Sequence, residues 1–142
     1  LKMKCFTRTH STPRENKMRK LESSRAPAAI GPYSHGIETR GLSFFSGQIG
    51  LDPESGTLVD SNFEAEVRQV MKNLQALLVD SGLGFGNVVK LNISMTDLSR
   101  FSEFNEIYAE YLKEPYPARA CVGVASLPKG ASLEIEMIAT AE

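Results

Sequence analysis

The 142-residue sequence predicts an α+β domain of order ββαβαββ, with two helices on one face of a mixed sheet. Three observations carry this. Two stretches repeat their apolar residues every three or four positions, four others are β-prone or alternate apolar with polar residues, and the two kinds interleave along the chain. Two helices cannot cover both faces of a sheet, so one face must meet water or another copy of the chain. Mixed acidic and apolar residues along it favour a homo-oligomer.

Taken in order, residues 42–48 (LSFFSGQ) are β-prone, and Asp52-Pro53-Glu54-Ser55-Gly56 has the residue placement of a tight turn. Between 61 and 80, Phe63, Val67, Val70, Leu74, Leu77 and Leu78 line one helix face. Ser61 with Glu64 reads as a capping box at its start, and Gly82 suits the left-handed position that ends it. Val89, Leu91, Ile93 and Met95 alternate with Lys90, Asn92, Ser94 and Thr96, the pattern of a half-buried strand. A second helix is expected from Ser99 through Phe101, Phe104, Tyr108, Tyr111 and Leu112 until Pro115 and Pro117 stop it. Strands over 118–125 and 133–139 complete the chain. A plain hairpin between them would pair residues whose numbers sum to about 258, which places Glu134 near Val124 and away from Arg119; for both to serve one site, an interface between subunits or a different strand order must bring them together.

Composition sets the class. With 42% apolar and 23% charged residues the chain can bury a core, and it contains no apolar run long enough to span a bilayer. Two cysteines, Cys5 and Cys121, are too few for a disulfide framework and fit a reducing, cytoplasmic setting. The net charge of −1 hides a division: residues 1–25 carry +6, whereas 26–142 carry −7. A body this acidic is a poor partner for a phosphate backbone, so nucleic acid is not an expected ligand and neither is a membrane. The basic segment 1–25 is expected to be a flexible extension of a domain spanning 26–142. It has the composition of a transit peptide, which would redirect the chain to a mitochondrion or plastid. The other readings are a tail without a folded role or, since the sequence opens on Leu1, a scar of untranslated sequence.

Several chemistries are missing. Two histidines and two cysteines without close spacing make no zinc-type ligand set, so no metal is expected. Gly82–Gly86 (GLGFG) follows a helix and matches no dinucleotide or phosphate-loop spacing. Ser46-Gly47-Gln48 lacks the glycine pattern of a nucleophile elbow, and only His35 could serve it as a base.

What remains is Arg119, a guanidinium set between Tyr116-Pro117-Ala118 and the apolar run Ala120–Ala125. Strand alternation puts Arg119, Cys121 and Gly123 on one face. Arginine there either grips a carboxylate through two parallel hydrogen bonds or forms a structural ion pair with an acid such as Glu134. Glu134 and Glu136 share a face of the last strand. If that face is covered, a partly buried carboxyl gains a raised pKa and becomes a usable acid-base group.

Residues 30–36 (IGPYSHG), 46–50 (SGQIG), 87–90 (NVVK), 105–108 (NEIY), 117–121 (PARAC), 127–130 (LPKG) and 133–138 (LEIEMI) together resemble the Rid/YjgF family of imine deaminases, also called the endoribonuclease L-PSP family. The resemblance spans about residues 26–141 in order. It implies a chorismate-mutase-like fold assembled as a homotrimeric barrel, with sites in clefts between subunits. It also implies cofactor-free hydrolysis of small 2-imino acids, 2-iminobutanoate and 2-iminopropanoate, to 2-oxo acids and ammonia. These reactive species are released by pyridoxal-phosphate dehydratases, so the reaction limits metabolite damage. By position, Arg119 matches the arginine that pairs with the substrate carboxylate and Glu134 the acid that handles water; Tyr33, Ser46, Gly47, Asn105 and Cys121 match residues lining the cleft. Leu91 and Asn92 depart from the family's common threonines. RNA cleavage, attributed to some members, and a non-catalytic ligand-binding or chaperone role are the competing readings; the −7 body and the lack of histidine pairs oppose the first.

Overall fold

A computed structural model describes residues 17–142. Six strands form one mixed sheet in the order β1-β2-β3-β6-β4-β5, where β1 is Arg19–Leu21, β2 Gly36–Thr39, β3 Leu42–Gln48, β4 Val88–Met95, β5 Ala118–Gly123 and β6 Leu133–Thr140. Helix α1 (Phe63–Asp80) and helix α2 (Phe101–Ala109) cover one face. The α+β architecture is as expected, with one short strand added at the N-terminal edge. Among the described residues no helix is long and apolar enough to cross a membrane.

The core follows from the two periodicities. From α1, Phe63, Val67, Val70, Met71, Leu74, Leu77 and Leu78 are buried against Leu91, Ile93 and Met95 of β4 and Leu133, Ile135 and Met137 of β6. Each such side chain contributes roughly 1.5–3 kcal/mol by leaving water. Helix α1 begins one residue later than its expected cap. Asn62, in extended conformation, accepts from Ala65 N at 2.8 Å, so Glu64 falls one position short of the box with Ser61. Its end is as expected: Gly82 adopts φ +75°, and Leu83 N reaches back to Leu78 O at 2.8 Å. Helix α2 is preceded by a 3-10 turn, Leu98–Arg100, whose cap Asp97 accepts from Ser99 N at 2.9 Å. It stops well before Pro115, because Glu110 and Tyr111 bond three residues back, to Ile107 and Tyr108, and tighten the last turn.

The sheet has a different strand order from the plain hairpin, and one expected alternation fails. The last two strands form no hairpin: β5 runs parallel to β4, reached through α2, while β6 lies antiparallel on β4's other edge. A strand reached through a helical crossover pairs parallel, and this places β4 between the strands that carry Arg119 and Glu134. In β4 the alternation breaks at Val89, 42% exposed, where a register shift between Val88 and Lys90 turns Val88 inward instead.

Residues 19–25 contribute an edge strand and a tether to α1. Strand β1 pairs with β2, and Leu21 is 3% exposed within the core. Beyond it, Ser23 Oγ donates to Asp80 Oδ2 at 2.5 Å and Arg25 ion-pairs with the same carboxylate, holding Asp80 below the ordinary aspartate range. Basic composition concealed this, because Leu21 is the only buried residue of a strand otherwise made of Arg19 and Lys20. Residues 1–16, which hold Cys5 and most of the expected extension, lie outside the described residues.

Candidate functional site

The expected site residues separate into two groups. The first lies at the end of β3, where the sheet register slips: Phe45 opposes Met137 and Gln48 opposes Ile135, so Ser46 and Gly47 bulge toward a cleft of about 380 Å³. Tyr33, Ser46, Gly47 and Glu134 line it, with Pro27, Ala28, Ile30, Ile49, Leu51 and Pro128 as apolar walls. Ser46 is not a free nucleophile, since its hydroxyl donates to Ser34 O at 2.7 Å. Nor is His35 its base. That buried ring accepts from Ser23 N through Nδ1 (3.1 Å) and meets Pro27 O through Nε2 (2.8 Å), fastening the segment that supplies Pro27 and Ala28.

Glu134 projects from β6 into this cleft against Gly47. A Cβ added at Gly47 would sit 2.6 Å from Glu134 Oε1, so glycine is what lets the carboxyl lie on the β3 backbone. Burial first, and then the neighbouring Glu136, push the Glu134 carboxyl above the ordinary glutamate range. The buried Asn73 of α1 holds the Ile49–Leu51 wall, donating to Ile49 O at 3.1 Å and Leu51 O at 2.9 Å. Buried Glu66 holds the opposite side by accepting from Ser132 N at 2.6 Å. Sequence reading missed both, since each occurs once on an otherwise apolar stripe. A polar residue recurring at i and i+7 on a buried helix face was the available signal.

Arg119, Asn105 and Cys121 form the second group, on the other face of the sheet. Arg119 pairs with Leu91 and Cys121 with Ile93, so both point to the helix side, whereas Glu134 pairs with Ser94 and points away. Arg119 Nη1 donates to Asn105 Oδ1 at 2.6 Å, and its Cζ lies 5.0 Å from the Tyr108 ring centroid and 5.2 Å from that of Phe101. With Leu98, Phe101 and Cys121 it lines an open depression. No carboxylate among the described residues lies within ion-pair distance, which overturns the structural pairing with Glu134. Burial pushes the Cys121 thiol up, against the lowering effect of Arg119, so it is not a preformed thiolate. The described residues contain no cluster of three or more metal-ligating side chains.

Among the described residues one chain thus presents an exposed guanidinium without an acid and a half-buried carboxyl without a base, on opposite faces. The arrangement can bind an anion at one place and exchange a proton at the other.

The profile of the endoribonuclease L-PSP family matches residues 23–141. The chain is 44% identical over 121 residues to the human 2-iminobutanoate/2-iminopropanoate deaminase, covering 85% of this chain and 88% of that protein. RidA from an Antarctic Psychrobacter superposes with a TM-score of 0.83 at 43% identity, over 86% of this chain and 98% of that one. E. coli TdcF with bound serine superposes with a TM-score of 0.82 at 38% identity, over 87% of this chain and 99% of that one. Extent of match, identity and fold agree, and the chain belongs to the Rid/YjgF family, the endoribonuclease L-PSP family.

Proposed function

We propose that the chain is a hydrolytic deaminase of small 2-imino acids, 2-iminobutanoate and 2-iminopropanoate among them, and that its site is completed between neighbouring copies in a homotrimer. The observation that carries this is Arg119: exposed, held by Asn105 and two aromatic rings, and lacking any acid of its own chain among the described residues. Such a group is a receptor for a carboxylate that comes from elsewhere. The human relative's activity and the serine in E. coli TdcF support a small amino-acid-like ligand.

The reaction needs little besides positioning. Arg119 fixes the substrate carboxylate, leaving C2 of the protonated imine open to water. Water's oxygen bonds to C2 as its proton passes to Glu134, whose raised pKa makes its carboxylate a stronger base than an ordinary glutamate. The same proton then goes to nitrogen, the C2–N bond breaks with its electron pair on the departing ammonia, and the hydroxyl proton passes to the regenerated Glu134 carboxylate, and from it to the ammonia, as the 2-oxo acid forms. The backbone at Gly47 lies where it can steady the tetrahedral intermediate, Ser46 holds the cleft wall through its bond to Ser34 O, and Tyr33 closes the cleft. No step calls for a cofactor.

The test is hydrolysis of a 2-imino acid generated in situ from its amino acid by an amino-acid oxidase. The native chain should accelerate 2-oxo acid release, and Arg119→Lys should lose at least roughly tenfold, because an ammonium cannot make the two-pronged contact. No acceleration by the native chain overturns the proposal.

A further inference from the structure

The aromatic rings around Arg119 have a function that their apolar character hides. Phe101, Asn105 and Tyr108 follow one another at i, i+4 and i+7, so they share one face of α2 and look toward β5. Behind them Phe104, fully buried, packs at a tilt against Tyr108 with centroids 5.4 Å apart and lies 6.5 Å from Phe101. The row is therefore anchored in the core at one end and open at the other, where Phe101 is half-buried and borders the depression with Leu98 and Cys121.

On this row the Arg119 guanidinium is constrained in two ways. Its carbon lies within cation–π distance of both rings, whose electron-rich faces attract it. Asn105 Oδ1 then takes one Nη1 proton, which fixes rotation about the guanidinium axis. Nε and Nη2 make no hydrogen bond among the described residues. That edge presents two parallel N–H groups, the pattern a carboxylate accepts in-plane. Without the rings, an arginine on an edge strand would sample many rotamers, and each binding event would have to freeze one of them.

We infer that Phe101 and Tyr108 are positioning residues: a π-cradle that holds Arg119 with its Nε–Nη2 edge turned toward the incoming carboxylate. The inference rests on the deaminase reading for the identity of that carboxylate. The cradle acts on carboxylate binding and leaves proton transfer at Glu134 alone, so its loss belongs in KM and in ligand affinity.

Tyr108 is buried and its truncation would disturb the core, so the test uses Phe101, at the rim. Binding of 2-oxobutanoate and of its neutral amide is measured by calorimetry on the native chain, Phe101→Leu and Phe101→Trp, beside the kinetic constants and urea midpoints. Phe101→Leu should weaken 2-oxobutanoate about 3- to 30-fold and raise KM in proportion at nearly unchanged kcat, while Phe101→Trp keeps native affinity because its face is at least as electron-rich. The amide should bind all three alike. Native 2-oxobutanoate affinity in Phe101→Leu, or equal weakening of acid and amide, overturns the cradle. If the native chain deaminates, Arg119→Lys fails and Phe101→Leu is silent, the cradle alone falls. If the native chain neither deaminates nor binds 2-oxobutanoate, the deaminase reading falls and takes the cradle with it.

Discussion

Arg119 and Glu134 leave opposite faces of one sheet, with β4 between their strands: Leu91 pairs with Arg119 on the helix-covered side and Ser94 with Glu134 on the open side. A substrate small enough to be an imino acid cannot touch both within a single copy. If each site takes Arg119 from one copy and Glu134 from the next, two inactive variants should repair one another. Arg119→Ala and Glu134→Gln, unfolded and refolded together in equal amounts, should recover about a quarter of native turnover, the share of sites that draw both native groups when copies mix at random in a closed ring. Each variant refolded alone should stay inactive. A mixture no better than its components would place the complete site within one copy.

Gly47 separates activity from stability. The Cβ of Gly47→Ala would fall 2.6 Å from Glu134 Oε1 and 3.0 Å from its Cγ, so the carboxyl must swing aside. The obstacle is the end of a flexible side chain, so the fold should lose less than about 1 kcal/mol in urea unfolding, within the ordinary range for a single substitution. Turnover should drop about 100-fold or more, since the proton-transfer group has left its place. A Gly47→Ala protein with native turnover would show that Glu134 does not act from this position.

The elements legible in the sequence are those whose neighbours are local. The stripe from Phe63 to Leu78 and the alternation from Leu133 to Met137 each state their own buried face, and the structure buries those faces. Pairing was not legible. Periodicity says which way Glu134 points but not that β4 stands between β6 and β5, so the strand order stayed open although both strands were found. The site follows the same division. Arg119 drew notice as a charge in an apolar run, whereas Phe101 and Tyr108 were absorbed into a helix stripe, because nothing local tells a ring that packs a core from one that faces a guanidinium.

The N-terminal edge extends this point to a measurable tether. Leu21 is buried, and Ser23 and Arg25 converge on Asp80, 57 and 55 residues away. Leu21→Ala should destabilise the protein by about 2 kcal/mol, the low end for a buried leucine because the site lies in an edge strand. The Asp80 contribution has the opposite pH dependence to that of a raised carboxyl. Its pKa is depressed by Arg25 and Ser23, so the tether is intact above the ordinary aspartate range and is lost as pH falls through the native value. Asp80→Asn should therefore lower the melting temperature at neutral pH and cease to matter in acid. Native stability for Leu21→Ala would show that β1 adds nothing to the stability of the folded domain.

Glu134 should be held at a cost to the fold. Burial and then Glu136 raise its pKa, so the native protein binds this proton more tightly than the unfolded chain does. Stability attached to the group is present in acid and declines as pH rises from the ordinary glutamate value through the raised native one. Above that window a carboxylate stands half-buried beside another negative charge. Glu134→Gln removes the penalty while keeping size and shape, so its melting temperature should exceed the native value at pH 7, and the two should converge below the ordinary glutamate range. Turnover should fall roughly 10²- to 10⁴-fold in the same variant. Glu136→Gln should move the acidic limb of the activity profile to lower pH, because losing the neighbouring charge lets Glu134 ionise earlier, and its amide oxygen can still accept from Asn92, whose Nδ2 lies 2.9 Å from Glu136 Oε1. A Glu134→Gln protein less stable than native at pH 7 would mean that the carboxylate is a structural partner, and the proton-transfer role would have to pass to another group in the cleft.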